Sequence, residues 1–402
     1  MGMIVEKLFR LMADKQASDI FISAGAPIHI KIQGQTLPIN QQVMQPAMID
    51  RMTREIMSPE QHATYEAGKE MNLSFGMQDL GNFRVNCFYQ RNSPAIVVRY
   101  VQGDIPSLES LGMPPILADI VMEQRGLVLV VGATGSGKST TVAAMLDYRN
   151  THRTGHILTV EDPIEYLFKH KKSIINQRAI GLDTTSWAEA LKNAMRQAPD
   201  CIMIGEIRDQ ETMAAALAYA QTGHLCIATL HANNSYHVLN RIINFFPLEN
   251  RNALCLDLSS CLRCVVSQRL VRKPNGQRIP AVEILLNTRN IADLIARGEA
   301  NAIQEAMEQS LAPGCQTFEE DLFRLFKDRV ITLEEALASA DSPTNLSWLV
   351  NNSQIEANLP PRSNSASPAA PASDRPPVDF EASITGASFS EMSLHIQDNG
   401  RD

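Results

Sequence analysis

The sequence predicts an α/β protein made of a small sheet domain, a larger domain around a parallel sheet, and a disordered tail. Three observations carry this reading. After residue 115, short apolar runs alternate with helical patterns, the rhythm of a parallel sheet covered by helices on both faces. A GxxxxGK[ST] stretch lies between the first such run and the first such helix. From residue 351 onward Ser, Ala, Asn and Pro dominate, too little apolar surface to offset the entropy of ordering.

Residues 5–15 carry apolar side chains at helical spacing, and 19–23 with 28–32 read as a hairpin around Gly25 and Pro27. Helices follow over 46–57 and 58–68, the second capped by Ser58 with Pro59 in its first turn. Strands over 71–75, 82–89 and 95–100 complete a first domain spanning 1–102, with a Gly/Pro-punctuated linker at 103–115. The second domain, 116–350, then alternates strand 127–131, helix 138–148, strand 156–160, helix 188–198, strand 201–204, helix 210–222 and strand 225–230. Helices over 250–268, 288–297, 300–309, 317–327 and 332–338 would cap its C-terminal side, leaving 351–402 as the tail.

Composition narrows the function classes. With 402 residues, 44% hydrophobic and 20% charged, the chain is neither fibrous nor a disulfide-stapled miniprotein. Its 36 basic and 44 acidic residues give a net charge of −8, a poor fit to nonspecific nucleic-acid binding. Half of that charge belongs to the tail, so the folded body is nearly balanced. No apolar run approaches the length of a membrane span, and the first residues lack a signal-peptide core. Seven cysteines, an odd number in apolar contexts, suit reduced thiols in a cytoplasmic protein. Cys261 and Cys264 form a lone CxxC with no second pair to complete a zinc site.

The chemistry sits in four boxes. In Gly132-Ala133-Thr134-Gly135-Ser136-Gly137-Lys138-Ser139, followed by Thr140, the glycines free backbone N–H groups to wrap phosphates. Lys138 would reach the β and γ oxygens, and the Ser139 hydroxyl Mg²⁺. Hydrolysis also needs carboxylates to hold Mg²⁺ and orient water. Glu206 ends the apolar strand 201–204, and Glu161-Asp162-Pro163-Ile164-Glu165 follows strand 156–160, both at strand ends where α/β sheets bind ligands. Three acids in five residues repel one another unless a cation or donors compensate. His224 and His231 stand at opposite ends of strand 225–230, too far apart to share a metal; His231, at the carboxyl end, could sense the γ-phosphate. Arg84 and Arg99, on first-domain strands, are candidates for neutralising charge on a transferring phosphoryl group.

These boxes, in this order, resemble the secretion ATPase superfamily, and most of all its type IV pilus retraction branch, the PilT/PilU family, particularly the PilU side. The first-domain run ASDIFISAGAPIHIKI, the Arg196-Gln197-Ala198-Pro199-Asp200 stretch and the long C-terminus carry the PilU resemblance. It implies a PAS-like N-terminal domain, a RecA-like ATPase domain, and a homohexamer binding ATP between them. It also implies a retraction motor for twitching motility, accessory to a PilT-type ATPase and acting on an inner-membrane platform protein of PilC type. Such a subunit would be cytoplasmic and peripheral at the inner membrane, without nucleic acid. Carried over residue by residue, Lys138 and Ser139 bind phosphate and Mg²⁺, Glu206 supports Mg²⁺, and His231 contacts the γ-phosphate side. Arg84 and Arg99 give the positive contacts, and the general base lies among Glu161, Glu165 and Glu206, with Glu165 favoured. Two departures stand out: Ala133 replaces the proline common after the first glycine, and the family's AIRxL-like segment reads Asn290-Ile291-Ala292-Asp293-Leu294-Ile295, without its arginine.

Overall fold

Apolar spacing and end caps account for most N-terminal elements. In α1 (Met3–Asp14) Val5, Leu8, Phe9 and Met12 recur at helical intervals and are all buried. Phe9 stacks on Phe83, ring centroids 4.2 Å apart. Next come β1 (Asp19–Ser23), β2 (His29–Ile32) and β3 (Gln35–Pro38). In α2 (Pro46–Ile56) a proline opens the first turn, and before α3 (Pro59–Gly68) Ser58 and Gln61 satisfy each other's backbone N–H groups. With β4 (Glu70–Met77), β5 (Gly81–Gln90) and β6 (Ser93–Val101) the strands form a six-stranded antiparallel sheet of order β3-β2-β1-β6-β5-β4. Arg91 and Asn92, both at positive φ, turn β5 into β6 without breaking register. The computed structural model describes residues 3–32, 34–77, 80–101 and 104–352, all within one compact unit, Met1–Ser353.

The second sheet holds seven strands. In chain order the elements are α4 (Ile116–Met122), β7 (Gly126–Val131), α5 (Lys138–His152), β8 (Gly155–Glu161), β9 (Ser173–Ala179), α6 (Trp187–Ala194), β10 (Cys201–Ile204), α7 (Gln210–Gln221), β11 (Leu225–Leu230) and α8 (Ser235–Phe245). They continue with α9 (Arg251–Cys261), β12 (Leu262–Arg272), β13 (Arg278–Leu286), α10 (Arg289–Ala296), α11 (Ile303–Glu308), α12 (Phe318–Lys327), α13 (Leu333–Ser339) and α14 (Pro343–Asn352). The order is β13-β12-β7-β11-β10-β8-β9, parallel except for the β12–β13 hairpin. One face packs Val128, Val130, Ile157 and Met203 against α4 and α5. On the other, Leu129, Val131, Leu158, Ile204 and Ala228 meet the helices α6 to α11. A third cluster seats α12 to α14 on Val271 of β12 and Ala281 of β13.

Several expectations are corrected. The helix expected over 250–268 stops at Cys261, and from Leu262 the chain is a strand, because Val265, Val266 and Val271 are β-branched residues of a strand buried on both faces. β13, β9, β3, α4, α8 and α14 were not anticipated, and α14 reaches Asn352, so the tail expected from 351 begins inside a helix. The rest of that tail, 353–402, lies outside the described residues. No described helix is long and apolar enough to cross a membrane. Among the cysteines, Cys87, Cys201, Cys226, Cys255, Cys261 and Cys264 are free and buried, and Cys315 is free and half-buried.

Candidate active site

The phosphate loop joins β7 to α5, and every residue of β7 is buried, which fixes where the loop starts. At its end Gly137 has φ +91 and caps α5, so the first free N–H groups of a 15-residue helix face the cleft. A cavity of about 590 Å³ opens there, lined by Thr134, Gly135, Gly137, Lys138, Ser139 and Thr140 from this loop. From other elements come Glu161, Asp162, Glu165, Glu206, His231 and Arg99. Gly132, Ala133 and Ser136 do not line it, and Ser136 is buried behind. Parallel strands deliver these groups together: β8 ends at the acidic box, β10 at Glu206 and β11 at His231, beside β7.

Lys138 is buried and donates to the carbonyls of Gly132 and Ala133, each at 2.9 Å. Burial pushes its pKa down, opposed by Glu206 and Glu165. His231 Nδ1 stands 3.4 Å from the Lys138 ammonium, and Nε2 lies 3.1 Å from Glu206 Oε1. Nδ1 also lies 3.3 Å from the Gly132 carbonyl, so the ring bridges the phosphate loop and Glu206. The other Glu206 oxygen accepts from Arg208 Nε at 2.7 Å, and Arg208 also reaches Asp162 at 3.4 Å. Arg208 follows Glu206 by two residues in Gly205-Glu206-Ile207-Arg208-Asp209 and is a site residue beyond those expected from sequence. A cation two positions beyond a strand-end carboxylate was the available signal.

The three glutamates occupy different surroundings. Glu161 is buried; its Oε1 accepts from Thr159 Oγ1 at 2.6 Å and from Gln177 Nε2 at 3.3 Å, and its Oε2 from the Glu165 N–H at 3.2 Å. Burial raises its pKa, partly offset by those donors. Glu206 is held at both oxygens. Glu165 is exposed at the cleft wall, and its carboxylate makes no hydrogen bond or ion pair among the described residues. Gln177, on β9, also donates to the Tyr166 carbonyl and accepts from the Phe168 N–H, while Tyr166 OH meets Thr140 Oγ1 at 2.8 Å. These bonds fold the acidic box against α5, and no local sequence signal announced them.

The two arginines of the six-stranded sheet diverge. Arg84 and Arg99 sit directly opposite each other on β5 and β6. Arg84 turns away from the cavity and donates to the carbonyls of Pro163, at 3.0 Å, and Ile164. Burial pushes its pKa down, opposed first by Glu165 and Glu161. Arg99 lines the cavity and pairs with Asp19 at 2.9 Å. His224 lies at the far end of β11, its Nδ1 beside Thr222 Oγ1 and the Tyr219 carbonyl, where it braces the turn after α7.

Comparison with known proteins agrees with this geometry. Residues 2–338 match the family described as Type II/IV secretion system protein. The chain is 46% identical over 346 residues to the Type IV pilus ATPase PilU of Pseudomonas aeruginosa, covering 86% of this chain and 91% of PilU. It is 37% identical over 343 residues to the PilT retraction ATPase of the same organism, covering 85% of this chain and 100% of PilT. Among solved structures, the pilus retraction motor PilT with bound ADP superposes with a TM-score of 0.80 at 38% identity, covering 85% of this chain and 98% of that one.

Proposed function

The chain belongs to the Type II/IV secretion system protein family, in its PilT/PilU pilus-retraction branch, and we propose that it is the accessory, PilU-type motor subunit of a type IV pilus. It is an ATPase. The observation that carries the reading is one cleft gathering Lys138, Ser139, Glu165, Glu206 and His231 at the ends of neighbouring parallel strands.

In this reading the loop N–H groups and Lys138 take the phosphates, the lysine exchanging its own loop carbonyls for the β and γ oxygens. Ser139 and Glu206 offer hard oxygen donors to the cleft, which suit Mg²⁺. When bound, Mg²⁺ would neutralise charge on the β- and γ-phosphates. Because both Glu206 oxygens already hold His231 and Arg208, that carboxylate would support the ion through water. Glu165, unpaired and facing the cleft, would take the proton of the attacking water. His231 would pass the state of the γ-phosphate to Glu206. Arg84 and Arg99 would tie the first domain to the acidic box and to the phosphates. The working form would be a homohexameric ring beside a PilT-type motor, at the cytoplasmic face of the inner membrane, turning a PilC-type platform protein.

Lys138→Ala in the purified protein should abolish steady-state phosphate release. Turnover equal to the unmodified protein would overturn the site assignment. In cells, loss of the gene should leave surface pili that retract poorly.

A further inference from the structure

β12 pairs with β7 so that Ser267 lies beside Val131, which brings the next residue, Gln268, level with the start of the phosphate loop. Alternation along β12 turns Val266 to the face that carries α5, and Gln268, two residues on, points the same way. Gln268 is 3% exposed. Its Nε2 donates to the Ser136 carbonyl at 2.8 Å, and its Oε1 accepts from Thr141 Oγ1 at 2.7 Å. A carbonyl can only accept, so Ser136 fixes which way the amide faces, and the Thr141 hydroxyl completes it.

The loop is built close against this residue. A Cβ on Gly137, at φ +91, would come within 2.8 Å of the Gln268 Nε2, and one on Gly132 would overlap the backbone carbonyl of Gln268 and the Ser136 hydroxyl. The two glycines leave room for the glutamine as well as for phosphate. Across a trans peptide the carbonyl of one residue and the N–H of the next point in opposite directions. Holding the Ser136 carbonyl back toward β12 therefore aims the Gly137 N–H into the cleft.

We propose that Gln268 is a positioning residue for nucleotide binding, setting the Ser136–Gly137 peptide so that the Gly137 N–H meets a phosphate oxygen. The inference rests on the reading of the cleft as the nucleotide site. A phosphate donor of this kind serves ground state and transition state alike, so its loss raises KM rather than lowering kcat.

The test compares Gln268→Met and Gln268→Glu with the unmodified protein, reading KM and kcat for ATP and the Kd of ADP. Gln268→Met keeps the volume and removes both bonds; KM and the ADP Kd should rise about tenfold, with kcat falling less than threefold. Gln268→Glu keeps the Thr141 bond but sets an oxygen against the Ser136 carbonyl. Its KM, relative to the unmodified protein at each pH, should fall as pH is lowered and the new carboxyl gains a proton to donate. A structural role alone gives no such profile. Unchanged KM in Gln268→Met, or a flat pH ratio in Gln268→Glu should Met fail to fold, overturns the proposal. Lys138→Ala, measured alongside, separates the two levels: ADP affinity retained there overturns the cleft reading itself.

Discussion

Replacing Glu165 by Gln tests the base assignment with the least structural disturbance. The carboxylate is exposed, lines the cleft and has no hydrogen-bond or ion-pair partner among the described residues. What anchors the residue is its backbone N–H on Glu161, at 3.2 Å, which the substitution leaves alone. Folding stability should therefore change by no more than about 0.5 kcal/mol, the range for surface substitutions. ADP affinity should stay within about threefold, because no ligand of the phosphates is removed. The rate is different: a positioned general base contributes about 10²–10⁴-fold, which at about 1.4 kcal/mol per decade is a barrier rise of roughly 3–5.5 kcal/mol. Phosphate release under saturating ATP, ADP titration and thermal unfolding measure the three quantities on one preparation. A kcat within fivefold of the unmodified protein would refute the reasoning. Glu206→Gln is the control: it breaks a carboxylate bound to Arg208 and His231, so it should disturb affinity as well as rate.

Two further outcomes follow. Arg84→Ala leaves the carbonyls of Pro163 and Ile164 without their half-buried charged donor, and a hydrogen bond to a charged group is worth about 1.5–3 kcal/mol. Thermal stability should drop and kcat should fall about tenfold as the acidic box loosens; unchanged values of both would show that the first domain does not hold the box. Glu283, buried beneath α8, accepts from the Ser235 N–H and from the Ser235 and Ser267 hydroxyls, and burial raises its pKa. The folded chain thus holds that proton more tightly than the unfolded one. The resulting stability is full below the ordinary carboxylate value of about 4.5 and is lost as pH rises through the higher folded value. The melting temperature of Glu283→Gln minus that of the unmodified protein should climb from about pH 4.5 upward, and a difference independent of pH would contradict the assignment.

The parts of the site legible in the sequence are those whose chemistry is local. Gly132 to Ser139 declares itself because phosphate wrapping needs glycines and a lysine at fixed offsets, and Glu206 and His231 because each closely follows a short, mainly apolar strand. The failures share a physical cause. Leu254, Leu258 and Cys261 set a helical period that Leu262 and Val265 extend, and a strand buried on both faces offers no alternation to break it. β13 carries Pro280 in its interior, which hid it as a strand. Arg84 looks like a surface arginine, since its partners lie about 80 residues along the chain. The three glutamates were indistinguishable by type; burial and donors separate them.

The strand that sequence mistook for a helix is the one that joins the nucleotide cleft to the C-terminal helices. Gln268 faces the phosphate loop, while Ser267 and Arg269 face the opposite side, a consequence of the twofold period of a strand. Ser267 meets Glu283, which in turn accepts from Ser235 at the start of α8, four residues beyond His231. Arg269 donates to the Asn233 and Ser339 carbonyls, pairs with Asp341 at 2.8 Å and lies 3.6 Å over the Phe318 ring. Asp341 also accepts from Asn234. The segment from His231 to α8 is therefore bonded to the same strand that holds the phosphate loop, and α12, α13 and the start of α14 are bonded or packed to it as well. A shift of His231 relative to Lys138 must either break buried, charge-assisted bonds or carry the helices with it. Breaking them costs Glu283 both of its Ser235 donors and Arg269 its Asn233 acceptor, so moving together is the less costly response. The link between the cleft residue His231 and the C-terminal helices is in this sense a property of β12.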